Sequence, residues 1–156
     1  MNIRNLQEID KSKLLDLYCE TINTVNLKDY SESQVKMWGN RDRLRSSWDS
    51  SFEDKEVFVA EDKEKLLGFC ELGNDGYIDR FYVEADSVGK GVGSKLFKVL
   101  ETTAINKNIK MLYSNASITA KPFFVKLGFS VVAEQKVFIE DVEYINYRVE
   151  KQIVCK

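Results

Sequence analysis

Residues 77 to 106 constrain this chain more than any other stretch. The apolar run Tyr77 to Val83 predicts a strand. A short polar turn follows, then glycines at 89, 91 and 93. Val92, Leu96, Val99, Leu100 and Ile105 then recur at helical spacing. Strand, glycine loop and helix in that order make a phosphate cradle. Glycine lets the backbone approach a ligand with no Cβ in the way. The first N–H groups of the helix lack partners inside it, and its dipole attracts anions. A phosphate-bearing ligand is therefore expected at residues 88 to 94.

Three glycine-loop patterns compete. The Walker loop needs G-x-x-x-x-G-K-[ST], but here Gly93 is followed by Ser94 and then Lys95. The dinucleotide fingerprint needs G-x-G-x-x-G, and Leu96 stands at its third glycine. That fingerprint also opens its domain, whereas this loop lies past the chain's midpoint. Val88-Gly89-Lys90-Gly91-Val92-Gly93 instead resembles the acetyl-coenzyme A pyrophosphate loop of the GNAT N-acetyltransferases, Gln/Arg-x-x-Gly-x-Gly/Ala, with Val88 in place of Gln or Arg. A second stretch, Ser117-Ile-Thr-Ala-Lys-Pro-Phe-Phe-Val-Lys-Leu-Gly-Phe129, is similar to that superfamily's Asn-x-x-Ala-x-x-Leu/Phe-Tyr-x-x-x-Gly-Phe. Ser117 stands for Asn, Phe123 for Leu and Phe124 for the tyrosine; Ala120 and Gly128-Phe129 match. The wording around it also resembles the small bacterial acetyltransferases of the YafP type.

The chain has 156 residues, enough for one domain with a real core, so a single domain over 1–156 is expected. Its 44% apolar content is ordinary for a globular chain. The net charge of −2 is spread over interspersed signs, which implies neither a nucleic-acid nor a membrane partner. No stretch approaches the ~20 apolar residues of a membrane span. Cys19, Cys70 and Cys155 form an odd, scattered set, so a reduced, cytoplasmic protein is expected. With no histidine and no CxxC, no metal site is expected and a Ser-His-Asp triad is excluded.

In chain order, residues 2 to 5 read as a strand and Asp10 to Val25 as a helix capped by Asp10 or Ser12. Ser31 to Trp48 reads as a second helical region broken near Asn40, with a capping box at Ser31 and Gln34. Strands follow at 56 to 61, 66 to 72 and 77 to 83, then the long helix from Gly91 to Asn106 and a strand from Lys110 to Asn115. Ser117 or Thr119 caps the next helix, and Pro122 favours Thr119. Two last strands, 129 to 139 and 143 to 153, flank a turn at Glu140-Asp141. This order, β-α-α-β-β-β-α-β-α-β-β, is that of the GNAT fold. The class is α+β, with a mixed, mostly antiparallel sheet of about seven strands flanked by about four helices.

The resemblance implies transfer of an acetyl group from acetyl-coenzyme A, the cosubstrate, to a primary amine of a small molecule or peptide, by a monomer or homodimer. It places the cofactor against Phe81, Tyr82, Val83, Val88, Gly89, Lys90, Gly91, Val92, Gly93, Ser94, Asn115, Lys121 and Phe124. It also places an oxyanion-stabilising N–H near Tyr82 or Val83. Tyr30, Trp38 and Tyr77 are acceptor-side candidates, although the tryptophans also read as core anchors. A lysine-like amine, with a reference pKa of ~10.4, must lose a proton before it attacks. Without histidine the base is a carboxylate or a water wired to one. Asp79 is the first candidate, on a face shared with Tyr77 and Phe81 by period two, where apolar neighbours would desolvate it. The same aspartate also reads as paired with Arg80, a lysine or solvent, and Glu71 is the runner-up. Phe124 has no proton to give, so Ser117, Tyr113 or a water stands in as acid, or the thiolate leaves unaided. Lys121 and Lys126 can reach phosphates, Lys126 reading better as merely solvated. The alternative from a different class is a non-catalytic acyl-coenzyme A-binding module, motivated by Val88 and Phe124.

Overall fold

The computed structural model describes residues 1–153, so Cys155 lies outside the described residues. Strand β1 (Asn2–Asn5) leads into helix α1 (Asp10–Thr24), a 3₁₀ turn at Asn26–Lys28, and helices α2 (Glu32–Trp38) and α3 (Arg41–Trp48). Strands β2 (Lys55–Asp62), β3 (Lys65–Gly73) and β4 (Tyr77–Val83) form a meander. Helix α4 (Val92–Asn106), strand β5 (Met111–Ser117), helix α5 (Lys121–Lys126) and the hairpin β6 (Ser130–Ile139) and β7 (Val142–Gln152) complete the chain. The strands join in one sheet of order β1-β2-β3-β4-β5-β7-β6, antiparallel except between β4 and β5. The expected class, order and mixed seven-stranded sheet are all present. The second helical region is two short helices, so the chain carries five α-helices where about four were expected among the described residues.

The break between α2 and α3 has a local cause. Gly39 abuts α1 so closely that a Cβ there would meet Asn23 Nδ2 at 2.6 Å and the Cys19 carbonyl at 3.2 Å. Asn40 then restarts the helix, its side chain accepting from the Arg43 N–H at 3.0 Å. The capping box of α2 is formed by Ser31 and Gln34 in both directions. Two expected caps are corrected. Ile9 is the N-cap of α1, while Asp10 is bound by Arg4 and by the Gln7 N–H, tying β1 to the helix start. Helix α5 begins after Ala120 with Pro122 in its first turn, and Thr119 caps nothing.

The sheet has an apolar core on each face. Leu96, Leu100, Ile78, Leu112, Phe124 and Val149 pack on the α4 side. Leu14, Ile22, Trp48, Val59, Phe69 and Tyr144 pack on the α1 side. Two irregularities near the sheet's middle position the site. Strands β4 and β5 pair only at Tyr77 with Tyr113 and Ile78 with Ser114, then part. Strand β4 also bulges: Cys70 and Leu72 of β3 oppose Phe81 and Ile78, three residues apart. The extra residue resets the alternation. Ile78 and Phe81 join the α4 core, while Tyr82 joins the α1 core, with Arg80 set among that core's aromatic rings. The period-two face of Tyr77, Asp79 and Phe81 expected from sequence therefore does not exist.

Candidate active site

Where β4 and β5 part, a cleft of about 650 Å³ opens. The glycine loop forms one wall. Gly89 and Gly91 have φ of +81° and +85°, which L side chains resist, and a Cβ at either would meet nothing within 4 Å. Backbone conformation therefore requires glycine there, and the loop's inner side is free for a ligand. The Gly91 carbonyl accepts the first helical bond of α4, from the Lys95 N–H at 3.1 Å. The N–H groups of Val92, Gly93 and Ser94 precede that bond, at the positive end of a 15-residue helix. Gly93 is different. A Cβ on it would lie 2.9 Å from the Phe123 ring, so its need for glycine comes from packing.

Of the expected cofactor residues, Phe81, Tyr82, Val83, Val88 and Gly89 line the cleft. So do Gly91, Gly93, Ser94, Asn115 and Phe124. Lys90, Val92 and Lys121 do not. Lys90 is exposed beside the loop. Val92 is buried in the α4 core, as an apolar residue on the inner face of a helix must be. The Lys121 ammonium lies 4.2 Å over the Tyr147 ring, a cation–π contact outside the cleft. Lys126, read from sequence as merely solvated, does line it.

The catalytic candidates separate by position. Asp79 lines the cleft, but it is 38% exposed and ion-paired with Lys55 at 2.6 Å, so the apolar setting expected for it is absent. The bulge turned those neighbours elsewhere. Glu71 is fully buried outside the cleft lining. Both its oxygens are held by Arg80, one at 2.7 Å, and Lys55 stands 3.5 Å away. Arg80 lies 4.5 Å over the Trp48 ring and 4.6 Å over Phe52, so this pair is part of the scaffold. Ser117 lines the cleft, its Oγ accepting from the Ala120 N–H at 3.0 Å, which leaves its own proton free to donate. Tyr113 does not line it. Its hydroxyl binds Asp75, which pushes the phenol above its ordinary range, and Arg148 stacks on its ring at 4.1 Å. Tyr77 packs on Tyr113 and also lies outside the lining. Phe124 is 2% exposed, wedged against Phe81, Phe123 and Phe129.

At its other end the cleft is aromatic. Tyr30 and Trp38 both line it, with Tyr144 beside them, while Trp48 is a core anchor at 2% exposure. The three ring centroids lie 5.3, 6.0 and 6.1 Å apart, tilted or edge to face. Thr21, Val25, Asn26, Val137 and Ile139 complete that end. Burial pushes the Tyr30 hydroxyl up and the Tyr82 hydroxyl well up, so both stay neutral. Sequence reasoning passed over these five residues and Tyr144. Only Val137 and Ile139 left a signal, their shared face by alternation in β6. It also missed Thr119 as a cleft residue; its Oγ1 is buried and has no hydrogen-bond partner in the protein. Among the described residues no three of Cys, Asp and Glu gather as a ligand set, and no helix is long and apolar enough to cross a membrane.

Comparison with known proteins agrees with this geometry. Residues 26–151 match the family model described as an acetyltransferase (GNAT) domain. The N-acetyltransferase YafP of Escherichia coli is 31% identical over 147 residues, 94% of this chain and 93% of its own length. A GCN5-related N-acetyltransferase from Rhodopseudomonas palustris superposes with a TM-score of 0.93 at 25% identity, covering 97% of this chain and 95% of that one. The fold is shared at 21% identity and a TM-score of 0.76 with the PaiA N-acetyltransferase of Thermoplasma acidophilum, solved with coenzyme A, over 97% of this chain and 98% of that one. On the match over most of its length and the identity to YafP, the chain belongs to the GNAT acetyltransferase family.

Proposed function

We propose that this protein transfers the acetyl group of acetyl-coenzyme A to a primary amine held at the aromatic end of the cleft. The observation that carries the reading is the glycine loop at the start of α4, whose unpartnered N–H groups adjoin the gap between β4 and β5. The unfilled space at Gly89 and Gly91 suits a ligand rich in acceptor oxygens. The PaiA structure with coenzyme A supports the choice of cofactor. In this reading the N–H groups of Gly89 and of residues 91 to 94 hold the pyrophosphate, the Lys90 N–H being spent on the Ser87 carbonyl, with Lys126 on the cleft lining as a point charge.

Acetyl-coenzyme A supplies an acetyl carbon activated as a thioester: a C–N bond to the amine forms as the C–S bond breaks, and the thiol departs. The chain's residues assist at three atoms. The Glu84 N–H bonds to the Leu67 carbonyl of β3. By strand alternation the Val83 N–H points the opposite way, into the gap, where it stabilises negative charge on the acetyl oxygen. Asp79, the single carboxylate among the described residues lining the cleft, accepts the amine's proton directly or through water. The Ser117 hydroxyl, or water, returns a proton to the departing sulfur. One observation favours the alternative of a non-catalytic acyl-coenzyme A binder: Phe124 fills the tyrosine position with a buried ring. Free thiol released from acetyl-coenzyme A across a panel of amines separates the two. Amine-dependent release with acetamide detected by mass is expected; binding without release on any amine would establish the binder.

A further inference from the structure

The chemistry of the acceptor is written in the charges its pocket lacks. We infer that the acceptor is a small amine with one cationic group and a flat apolar body, of the arylalkylamine class. This rests on the acetyl-transfer reading above. Among the described residues lining the cleft only Asp79 and Lys126 are charged, on β4 and α5, and no lining residue from α1, α2, β6 or β7 carries a charge. That end presents Tyr30, Trp38 and Tyr144 facing Val25, Val137 and Ile139.

Two neighbouring charges act on these rings from outside the lining. Burial pushes the Tyr144 hydroxyl up and Arg43 opposes that shift, but the Arg43 guanidinium is committed to the Met37 and Trp38 carbonyls, each at 2.9 Å. Asp29 acts on Tyr30 from an exposed position. A polyamine or aminoglycoside would place a second cation where there is no carboxylate. A free amino acid would place its carboxylate where there is no free cation. Burying either unpaired charge is heavily penalised, whereas an aromatic body gains from burial against rings.

The aromatic wall is also held in place. The Tyr30 hydroxyl donates to the Ile145 carbonyl at 2.6 Å and accepts from the Ile118 N–H at 2.9 Å. The Tyr144 hydroxyl donates to the Gln34 carbonyl at 2.7 Å, and Gln34 Nε2 donates to the Glu143 carbonyl at 2.8 Å. These bonds stitch α2 to β7, so the slot exists before the acceptor arrives, which favours a rigid body over a flexible chain.

The test compares kcat/KM for 2-phenylethylamine, spermidine and leucine, with coenzyme A affinity measured separately by calorimetry. The aromatic amine should exceed both others by about tenfold or more, the worth of burying a ring. Spermidine or leucine as the better substrate, or no transfer to 2-phenylethylamine by protein that binds coenzyme A, overturns the inference. Failure to bind coenzyme A overturns the acetyl-transfer reading itself. Trp38→Ala should raise KM for 2-phenylethylamine by roughly tenfold with coenzyme A affinity unchanged, and Trp38→Phe should restore most of the loss. Val137→Asp, on a half-buried edge-strand position, should shift preference toward spermidine. An equal loss on all three amines in Trp38→Ala, or no shift in Val137→Asp, contradicts an acceptor slot at this end.

Discussion

At the glycine loop the wall of the cleft is backbone, drawn from residues 88 to 94 in one stretch. At the aromatic end the wall is side chains contributed by α1, α2, β6 and β7, which lie more than 100 residues apart at the extremes. The contrast has a physical origin. A pyrophosphate is the same in every acyl-coenzyme A and can be bound by N–H groups that all residues carry. An acceptor amine differs between enzymes and must be recognised by what only side chains differ in. A change at the loop should therefore act on cofactor binding whatever the amine, and a change at the aromatic end on the amine alone.

The largest effect is expected from Gly91→Glu. A carboxylate would project into space that the loop leaves open, against an anionic ligand, and coenzyme A binding should vanish from folded protein. Positive φ adds roughly 1–2 kcal/mol of backbone strain, so the melting temperature must be followed alongside calorimetry. The equivalent change at Gly93 would displace Phe123 and test packing instead. Unchanged affinity in folded Gly91→Glu would break the loop's side of the comparison.

Asp79→Asn comes next. As the cleft's carboxylate it should contribute ~10²- to 10⁴-fold in rate, with coenzyme A affinity barely moved. The loss should shrink at high pH, where more of the amine is already neutral. Activity within a few-fold of wild type would leave bulk water as the base. Glu71→Gln supplies the control. It removes a buried charge that Arg80 depends on, and should cost about 3–5 kcal/mol of stability by denaturant titration while the folded fraction still turns over. A catalytic loss without a stability loss would restore Glu71 as a candidate base.

The smallest effect, and the sharpest discriminator, is Thr119→Val. The hydroxyl has no protein partner, so its removal should leave the free protein as stable or more so. If it serves the cofactor, coenzyme A affinity should fall by about fivefold, the worth of one hydrogen bond, with KM for the amine unchanged. Stability lost and affinity kept would mean that Thr119 has an unseen structural partner.

These two walls also explain what could be read from the sequence. The loop is local, so glycine spacing and the helical period that follows revealed it, together with the order of the elements along the chain. The β4 bulge was not legible. It depends on how two residues of β4, Asp79 and Arg80, meet the single Glu71 of β3, and it moved Phe81 to the α4 core and left Asp79 beside Lys55. The pairing of Tyr113 with Asp75 spans 38 residues, and that of Glu71 with Arg80 follows from the same β3–β4 register. Tyr30 and Trp38 were reachable by resemblance, but Thr21, Val25, Asn26 and Tyr144 meet them only once α1 and β7 are folded together.

Backbone amide NMR on coenzyme A addition reads each wall of the cleft at its own atoms. The largest amide shifts are expected at Gly89 to Ser94 and at Val83, with Val137, Ile139 and the Trp38 indole moving only after the amine is added. Largest shifts at the aromatic end on addition of coenzyme A alone, with the loop amides unmoved, would contradict that expectation.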